Sequence, residues 1–286
     1  MMLRIYFGHH RSGSTWIKGI LNEIARAMGL RSRTVIDRGA LPPEILDGIR
    51  TGRFDLLNCI NADPAHLSGL PGFRAFHVVR DPRDLLVSAY FSHRYSHPTS
   101  QWPALAEQRA RLESMTIEEG LLAELEFNAP VFRTMGDWNY GHAGIREIRF
   151  EDLIHDPYSG FADILHHLGL LRNEEGRSHA GHMIRRLAFL IHESWNRASR
   201  RFFGTDVRLF PARRIPVERL LGIVHAHRFE RKARGRARGE EDVHSHYRIG
   251  VPGSWAQHFT PAVRTAFKAE HGELLIRLGY EADHDW

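Results

Sequence analysis

The sequence predicts an α/β fold: a P-loop-like parallel β-sheet flanked by helices on both faces. Short β-prone runs alternate with longer helical patterns along the 286 residues, as in folds built from strand–helix units. The runs at 4–7, 54–60 and 74–79 are each followed by polar or charged turn residues. In an open parallel sheet, such turns lie at the carboxyl ends of the strands, where ligands bind.

A single domain over residues 1–286 is expected, because a chain of this length lies within the range of one large domain. Apolar residues make up 42% and charged residues 26%, as in ordinary soluble proteins. No apolar stretch reaches the roughly 18 residues of a membrane span, and the first residues lack a signal-peptide pattern. The lone Cys59 fits a reducing compartment, so we expect a cytoplasmic protein without a membrane span.

The first predicted strand leads into a phosphate-binding turn. Residues 4–7 run into a turn bounded by Gly8 and Gly13, and the helical spacing of apolar residues predicts a helix over 14–28. Such a junction directs backbone N–H groups and the positive end of the helix dipole at one point. This arrangement suits a phosphate group.

The spacing nearly matches the nucleotide P-loop, with one decisive difference. Ser14 stands where that motif needs its lysine, while Thr15 keeps the hydroxyl position. Arg11, three residues earlier, offers a cation inside the loop. The usual contact to the β- and γ-phosphates of a nucleotide is therefore missing, which disfavours a kinase or NTPase.

The next elements continue the alternation and add a second cationic junction. A short helix opened by Pro43 precedes the strands at 54–60 and 74–79. A helix from Pro82 to about residue 95 follows, with Asp81 as its N-cap. Arg80 ends the strand and Ser88 lies two turns into the helix, so both can face one ligand.

The remaining chain is predicted to be mainly helical. Its expected parts are interrupted helices over 96–144, a strand at 145–150, helices at 157–168 and 183–200, a basic segment at 228–238, and a final helix from Pro261 to Gly279. The basic segment is typical of a solvated, mobile loop. Segments 96–140 and 172–216 are expected to lie on the substrate side.

Three stretches together resemble the sulfotransferases that use 3′-phosphoadenosine 5′-phosphosulfate (PAPS). Residues 10–16 read H-R-S-G-S-T-W and are similar to the family's 5′-phosphosulfate loop, usually written P-K-S-G-T-T-W. Residues 79–88 are similar to its 3′-phosphate segment, with the arginine and the serine at the expected separation. Residues 247–259 resemble the late R-K-G-x-x-G-x-W motif. The resemblance implies sulfuryl transfer from PAPS without a metal.

The resemblance also assigns roles to residues. Ser12 to Thr15 would hold the 5′-phosphosulfate, Arg80 and Arg248 the 3′-phosphate, and Trp16 and Phe229 the adenine. The residues that the resemblance implies as PAPS-binding are Arg11, Ser12, Gly13, Ser14, Thr15, Trp16, Arg80, Ser88, Phe229, Arg248, Ile249 and Gly250.

Several positions depart from the family pattern. Arg11 replaces a lysine, which keeps the charge but exchanges a point ammonium for a planar fork. Phe150 stands where a tyrosine is common, so one hydroxyl contact is lost. Ile249 replaces the lysine of R-K-G, which weakens the contact to the 3′-phosphate.

The family's catalytic histidine has no direct counterpart in this chain. Its place after the second strand reads N-C-I-N-A-D-P-A-H, residues 58–66. The expected catalytic residues are Arg11, which follows the charge onto the leaving phosphate oxygen, and His66 or Asp63 as the base. His66 is preferred because the ordinary pKa of histidine, about 6.5, suits neutral pH. His93 and His97 are alternatives.

The expected reaction moves a sulfuryl group from PAPS to an acceptor hydroxyl and leaves 3′-phosphoadenosine 5′-phosphate (PAP). A carbohydrate or glycan acceptor is favoured, because the substrate-side segments contain polar and aromatic groups; a small alcohol or a lipid is the alternative. The competing function classes are an atypical P-loop kinase and a nucleic-acid binder acting through 228–238. The net charge of +5 suits anionic ligands without requiring nucleic acid, which the sulfotransferase interpretation does not include. The oligomeric state stays open.

Overall fold

The computed structural model describes residues 2–172, 179–203 and 214–286. Its strands are β1 (Leu3–Gly8), β2 (Ser32–Val35), β3 (Leu56–Cys59), β4 (Phe73–Val79) and β5 (Ile145–Arg149). Its helices are α1 (Ser14–Met28), α2 (Pro43–Arg50), α3 (Pro82–Phe91), α4 (Pro103–Glu113), α5 (Ile117–Phe127), α6 (Ala129–Asp137), α7 (Phe150–His155), α8 (Pro157–His167), α9 (His179–Phe203), α10 (Val217–Ala226), α11 (Phe229–Lys232) and α12 (Pro261–Arg277). None of the helices within these residues is both long and apolar enough to cross a membrane.

The strands form a sheet in the order β2-β3-β1-β4-β5. Strand β1 pairs parallel with β3 and β4, so that Ile5 lies opposite both Leu57 and Ala75. Strand β2 pairs parallel with β3. Ile5, Tyr6 and Phe7 of β1 are fully buried, which is typical of parallel sheets covered on both faces. The predicted α/β fold with a parallel sheet is confirmed.

The edge strand β2 is missing from the sequence prediction. It has only four residues, and Ser32 and Arg33 are exposed. A short, polar edge strand shows neither the apolar alternation nor the continuous apolar run by which strands are recognised in a sequence.

The chain divides into two compact units. The first unit contains Met1–Gly8, Gly13–Val78 and Asn139–His227; the second contains His9–Ser12, Val79–Trp138 and Arg228–Trp286. The single domain over 1–286 stays a prediction. Of the expected substrate-side segment 172–216, residues 173–178 and 204–213 lie outside the described residues.

The first unit is built around the sheet and helix α1. This helix spans the predicted residues, and Gly13 and Gly29 flank it with positive φ values of 75° and 69°. Its apolar face joins a core with strand residues such as Tyr6 and Phe76, and with helices α8 and α10. Each fully buried aliphatic side chain stabilises such a core by roughly 1.5–3 kcal/mol. Cys59, at the end of β3, is 1% exposed, and burial raises the pKa of its thiol to about 12.

In the second unit, all residues of helix α3 are buried. The Asp81 carboxylate accepts a hydrogen bond of 2.9 Å from the Arg83 N–H, which confirms the predicted N-cap. The α-helix is shorter than predicted, because it ends at Phe91 and continues as a π-helical turn over Ser92–Ser96. Helix α12 begins after Thr260, as predicted, and its Val263 and Phe267 are fully buried.

The basic segment 228–238 forms helix α11 followed by turns. The Arg236 guanidinium donates to the carbonyl oxygens of Tyr247, Arg248 and Glu240 at 2.6–2.8 Å. A single side chain thus ties this segment to the late motif, which explains why a run that reads as a solvated loop has a defined backbone.

Candidate active site

The loop between β1 and α1 contains a backbone conformation that is unusual for a residue other than glycine. Arg11 has a φ of 63°, in the left-handed region that side chains disfavour. The Ser12 N–H donates to the His9 carbonyl at 3.2 Å. Strain of this kind persists where the surrounding structure imposes it, and it clusters at functional sites.

Arg11, Arg80 and Ser88 lie together in the second unit, as the sequence predicts. The Arg11 Nε donates to the Ser88 Oγ at 3.1 Å, and the Arg80 Nη1 donates to the Arg11 carbonyl at 3.0 Å. Arg80 and Ser88 are 8% and 6% exposed. Two cations and a hydroxyl are therefore assembled in one group, of which Arg80 and Ser88 are buried.

Arg248 adds a third guanidinium from the late motif. It is 6% exposed, donates to the Ser254 Oγ at 2.7 Å and forms an ion pair with Glu241. Its guanidinium lies 4.6 Å from the centre of the Phe91 ring. Burial is the main factor that lowers the pKa of Arg248. The side chain is thus held in place by a hydroxyl, a carboxylate and an aromatic ring.

The electrostatics of this cationic cluster favour an anion. Burial, together with the positive charges of Arg80 and Arg248, lowers the pKa of Arg11 to about 9. The group is still a cation at neutral pH, but its charge is disfavoured by its surroundings. The hydroxyl of Ser12 is fully buried and has no hydrogen-bond partner among the described residues. An anion bound here would offset the repulsion and accept a bond from that hydroxyl.

Asp84 is a supporting residue that the sequence analysis does not single out. Its buried carboxylate accepts hydrogen bonds from the N–H groups of Gly253 at 2.6 Å and Trp255 at 3.0 Å. Helix α3 therefore anchors the late motif. The aspartate at the third helical position was the only sequence signal, and it reads equally as a first-turn acid that complements the helix dipole.

The late motif also brings Phe229 and Gly250 together. Gly250 has a φ of 71°, and a Cβ atom there would lie 2.6 Å from the Phe229 ring. Only glycine combines that conformation with so close an approach. Ile249, the expected contact that departs from the family pattern, accepts a hydrogen bond from the Gly239 N–H through its carbonyl.

The rest of the loop, Gly13 to Trp16, belongs to the first unit. The Trp16 Nε1 donates to the His227 carbonyl at 2.9 Å, and its ring meets the edge of Phe161 at 5.4 Å. A Cβ atom at Gly13 would lie 2.3 Å from the Phe150 ring. The expected contacts of Gly13, Ser14, Thr15 and Trp16 with PAPS stay predictions.

The two expected bases, His66 and Asp63, have structural roles. His66 is fully buried, its Nε2 lies 3.0 Å from the Asp37 carbonyl oxygen, and desolvation lowers its pKa. Asp63 caps a short 3₁₀ turn by accepting from the N–H groups of Ala65 and Gly39, both at 2.9 Å. The assignment of His66 or Asp63 as the base stays a prediction.

A series of hydrogen-bonded polar side chains connects His10, in the loop after β1, to the buried Glu124. His10 Nε2 lies 2.9 Å from His93 Nε2, and His93 Nδ1 lies 2.7 Å from a carboxylate oxygen of Glu124. His93 and Glu124 are fully buried. The sequence signal for His10 is its position directly before Arg11, where the resembling motif has proline.

Comparison with known proteins gives similarity at the level of structure. No protein-family model and no curated protein sequence matches the chain. Among solved structures, it is similar to a mouse sulfotransferase complexed with PAP, with 15% identity, coverage of 96% of this chain and 84% of that chain, and a TM-score of 0.45. Retinol dehydratase with androsterone and PAP shares 15% identity over 95% of this chain and 80% of that chain, with a TM-score of 0.49. Retinol dehydratase with retinol and PAP shares 16% identity over 95% of this chain and 80% of that chain, with a TM-score of 0.47.

Proposed function

We propose that the protein is a sulfotransferase that moves a sulfuryl group from PAPS to an acceptor hydroxyl. The observation that carries this proposal is the cationic cluster of the second unit, in which Arg11, Arg80 and Arg248 lie close together around polar groups. These are the residues that the PAPS motifs of the sequence assign to phosphate binding. Motif and geometry therefore point to the same ligand class.

The cluster suits an adenosine with two separate phosphate groups. Arg80 and Arg248, with Ser88, would hold the 3′-phosphate through charge-assisted hydrogen bonds. Arg11 and the unpartnered hydroxyl of Ser12 would hold the 5′-phosphosulfate. The anion would offset the repulsion among guanidinium groups that lowers the pKa of Arg11.

In the proposed reaction, the acceptor oxygen attacks sulfur as the bond from sulfur to the bridging phosphate oxygen breaks. Negative charge develops on that phosphate oxygen as PAP leaves. Arg11 would stabilise this charge, because its guanidinium is already oriented by Ser88 and costs little reorganisation. Positioning and charge stabilisation would supply most of the acceleration.

A carbohydrate or glycan hydroxyl is the acceptor that we favour, with a small alcohol or a lipid as the alternative. In the described part of segment 96–140, the Trp102 ring lies 5.5 Å from His97 and 5.6 Å from His10. An aromatic face beside polar rings suits a sugar, which presents both C–H and hydroxyl groups.

The function is tested by comparing ligands in thermal unfolding. PAP at 100 times its dissociation constant should add roughly 2.7 kcal/mol of stability, while AMP and ATP at the same concentration should add much less. An ATP shift as large as that of PAP would support the kinase interpretation instead.

Transfer itself is then measured with ³⁵S-labelled PAPS and a panel of acceptors. The panel contains methyl β-glucopyranoside, a chito-oligosaccharide and octanol, with water as the reference acceptor. Label on a saccharide would support the favoured acceptor class. PAP binding with label only on octanol would support the alcohol alternative.

A further inference from the structure

A buried carboxylate orders a chain of hydrogen bonds in the second unit. Glu124 accepts from the Gln108 side-chain amide at 3.0 Å and from the Asn128 side-chain amide at 2.7 Å. His93 Nδ1 lies 2.7 Å from the same carboxylate. A carboxylate only accepts hydrogen bonds, so His93 Nδ1 must carry a hydrogen.

This tautomer propagates to His10. With its hydrogen on Nδ1, a neutral His93 has its lone pair on Nε2, which lies 2.9 Å from His10 Nε2. His10 must then donate from Nε2, which leaves the lone pair of its own neutral ring on Nδ1. The carboxylate thus selects the proton-accepting atom of a histidine two contacts away.

Aromatic groups fix the two imidazole rings. His10 stacks on His93 with ring centres 5.1 Å apart and planes inclined by 24°. Trp102 meets both rings edge-on, each at 5.6 Å. His10 is only half-buried, unlike His93, and it directly precedes Arg11. The exposed end of the chain is therefore the one next to the cationic cluster.

We propose that His10 is the general base of the sulfuryl transfer, and that His93 and Glu124 are positioning residues that hold it in its proton-accepting tautomer. The inference rests on the proposed function. It assigns the base to the phosphate loop itself, in contrast to the expected His66 and Asp63.

The proton movements balance. The acceptor hydroxyl gives its proton to His10 Nδ1 while its oxygen forms the bond to sulfur. The electron pair of the broken sulfur–oxygen bond leaves with PAP. The Nε2 proton of His10 then passes to His93 Nε2, so the positive charge comes to lie beside the Glu124 carboxylate. His93 keeps its Nδ1 hydrogen throughout.

Other charged and titratable groups also face this pair. Arg109 donates to the carbonyl oxygens of His93 and His97 at 2.6 Å, and the ring centre of His97 lies 5.5 Å from that of His10. Arg11 is the next residue in the chain. Among these groups, Glu124 supplies the negative charge that favours a proton on the pair.

The first test measures single-turnover rates with labelled PAPS and the fastest acceptor of the panel, or water where none reacts. His10→Gln should slow transfer on the order of 10²- to 10⁴-fold, with the stabilisation by PAP unchanged. His284→Gln, at an exposed side chain of the same unit, is the matched control.

Glu124→Gln separates a positioning role from a structural one. Loss of the carboxylate charge should make the protonated form of the histidine pair less favourable, so the acid limb of the rate–pH profile should move to lower pH by on the order of one unit. A structural defect would reduce the rate at every pH without moving the limb, and that result would overturn the positioning role.

The second test does not need turnover. Nitrogen-15 spectra of the histidine rings, assigned by loss of signals in His10→Gln and His93→Gln, should show the Nε2–H tautomer for His10 and the Nδ1–H tautomer for His93. The opposite tautomer at His10 would overturn the proposal. If PAP fails to stabilise the wild type, the proposed function fails with the base assignment. If PAP binds and His10→Gln keeps a near-normal rate, the base assignment alone fails.

Discussion

Two arginines of the second unit, the buried Arg83 and the partly buried Arg11, differ in how their charges are compensated. Arg83 pairs with Asp81 at 2.8 Å and with Glu281, and its guanidinium lies 3.9 Å from the centre of the Trp255 ring. Burial acts to lower the pKa of Arg83, but the two carboxylates raise it overall. Within the described residues, Arg11 has other cations and no carboxylate beside it.

The difference separates a structural cation from one that we propose to bind an anion. The fold supplies the negative charges that Arg83 requires, so this arginine stabilises the packing of α3 against the late part of the chain. Arg11 has a hydroxyl and a histidine ring as hydrogen-bond partners, and its charge is left for an anion to compensate. Buried arginine is therefore informative about ligands only when its counter-charges are counted.

The largest expected effect comes from removing a counter-charge of Arg83. Asp81→Asn keeps an N-cap for α3 but removes the charge that pairs with Arg83. Because Arg83 then keeps Glu281 as its counter-charge but loses the buried carboxylate of Asp81, the free energy of unfolding should fall by about 3 kcal/mol in urea denaturation. Asp47→Asn, in the exposed pair of Asp47 with Arg50, is the control and should cost below about 1 kcal/mol. Equal losses in the two variants would remove the distinction.

The second-largest effect is expected when Arg11, which has no carboxylate beside it among the described residues, is removed. Arg11→Ala should reduce the single-turnover rate on the order of 10²- to 10³-fold, since it removes stabilisation of charge in the transition state. Stability should stay near the wild-type value or rise, because repulsion from Arg80 and Arg248 is relieved. Arg146→Ala, at a half-exposed side chain, serves as the control. A large loss of stability with a normal rate would make Arg11 a structural residue like Arg83.

A smaller effect is expected on ground-state binding. Arg80→Ala should weaken PAP binding by roughly 1.5–3 kcal/mol, the usual range for hydrogen bonds to charged groups. Isothermal titration calorimetry with PAP measures this change directly. The rate at saturating PAPS should fall less than it does in Arg11→Ala, because Arg80 would contact a phosphate throughout the reaction. A rate loss at unchanged affinity contradicts this assignment.

The smallest expected effect is a change in the pKa of His246, which should respond to an anion bound beside Arg11. Burial, Arg11 and His97 lower the pKa of His246 to about 4. A bound PAP anion should raise that pKa, as should Arg11→Ala, and both changes can be followed by NMR titration of the ring. His271, whose pKa burial lowers to about 4, is the internal control and should not respond. An unchanged His246 would place the anion elsewhere.

The lowered pKa values of His246 and His271 also determine how the stability of the fold depends on pH. A histidine whose folded pKa lies below its unfolded value near 6.5 binds fewer protons when folded. His246 and His271 therefore contribute stability above pH 6.5 that is lost as the pH falls toward 4.

The parts of the fold that were predictable depend on local signals. Helix α1 follows from its apolar spacing and its flanking glycines, and Asp81 follows from the N-cap preference before proline. The grouping of Arg11, Arg80 and Ser88 follows from the motif spacing together with the topology of a parallel sheet.

The remaining site features depend on tertiary contacts that no local pattern contains. His10 is 83 residues from His93, and His93 is 31 residues from Glu124. The complete burial of His66 likewise depends on how its 3₁₀ turn packs, which a histidine in a polar loop sequence does not reveal. Sequence motifs predicted the residues of the cationic cluster, whereas the proposed acid–base chemistry depends on the side-chain contacts.

Burial of Cys59 has a practical consequence for spectroscopy. It is the only cysteine of the chain, and at a pKa of about 12 almost none of it is thiolate at neutral pH. Maleimide dyes react with thiolates, so the native thiol should remain unlabelled. A cysteine introduced at an exposed position such as Ser100 would accept a single fluorophore in the otherwise natural sequence, without prior removal of Cys59.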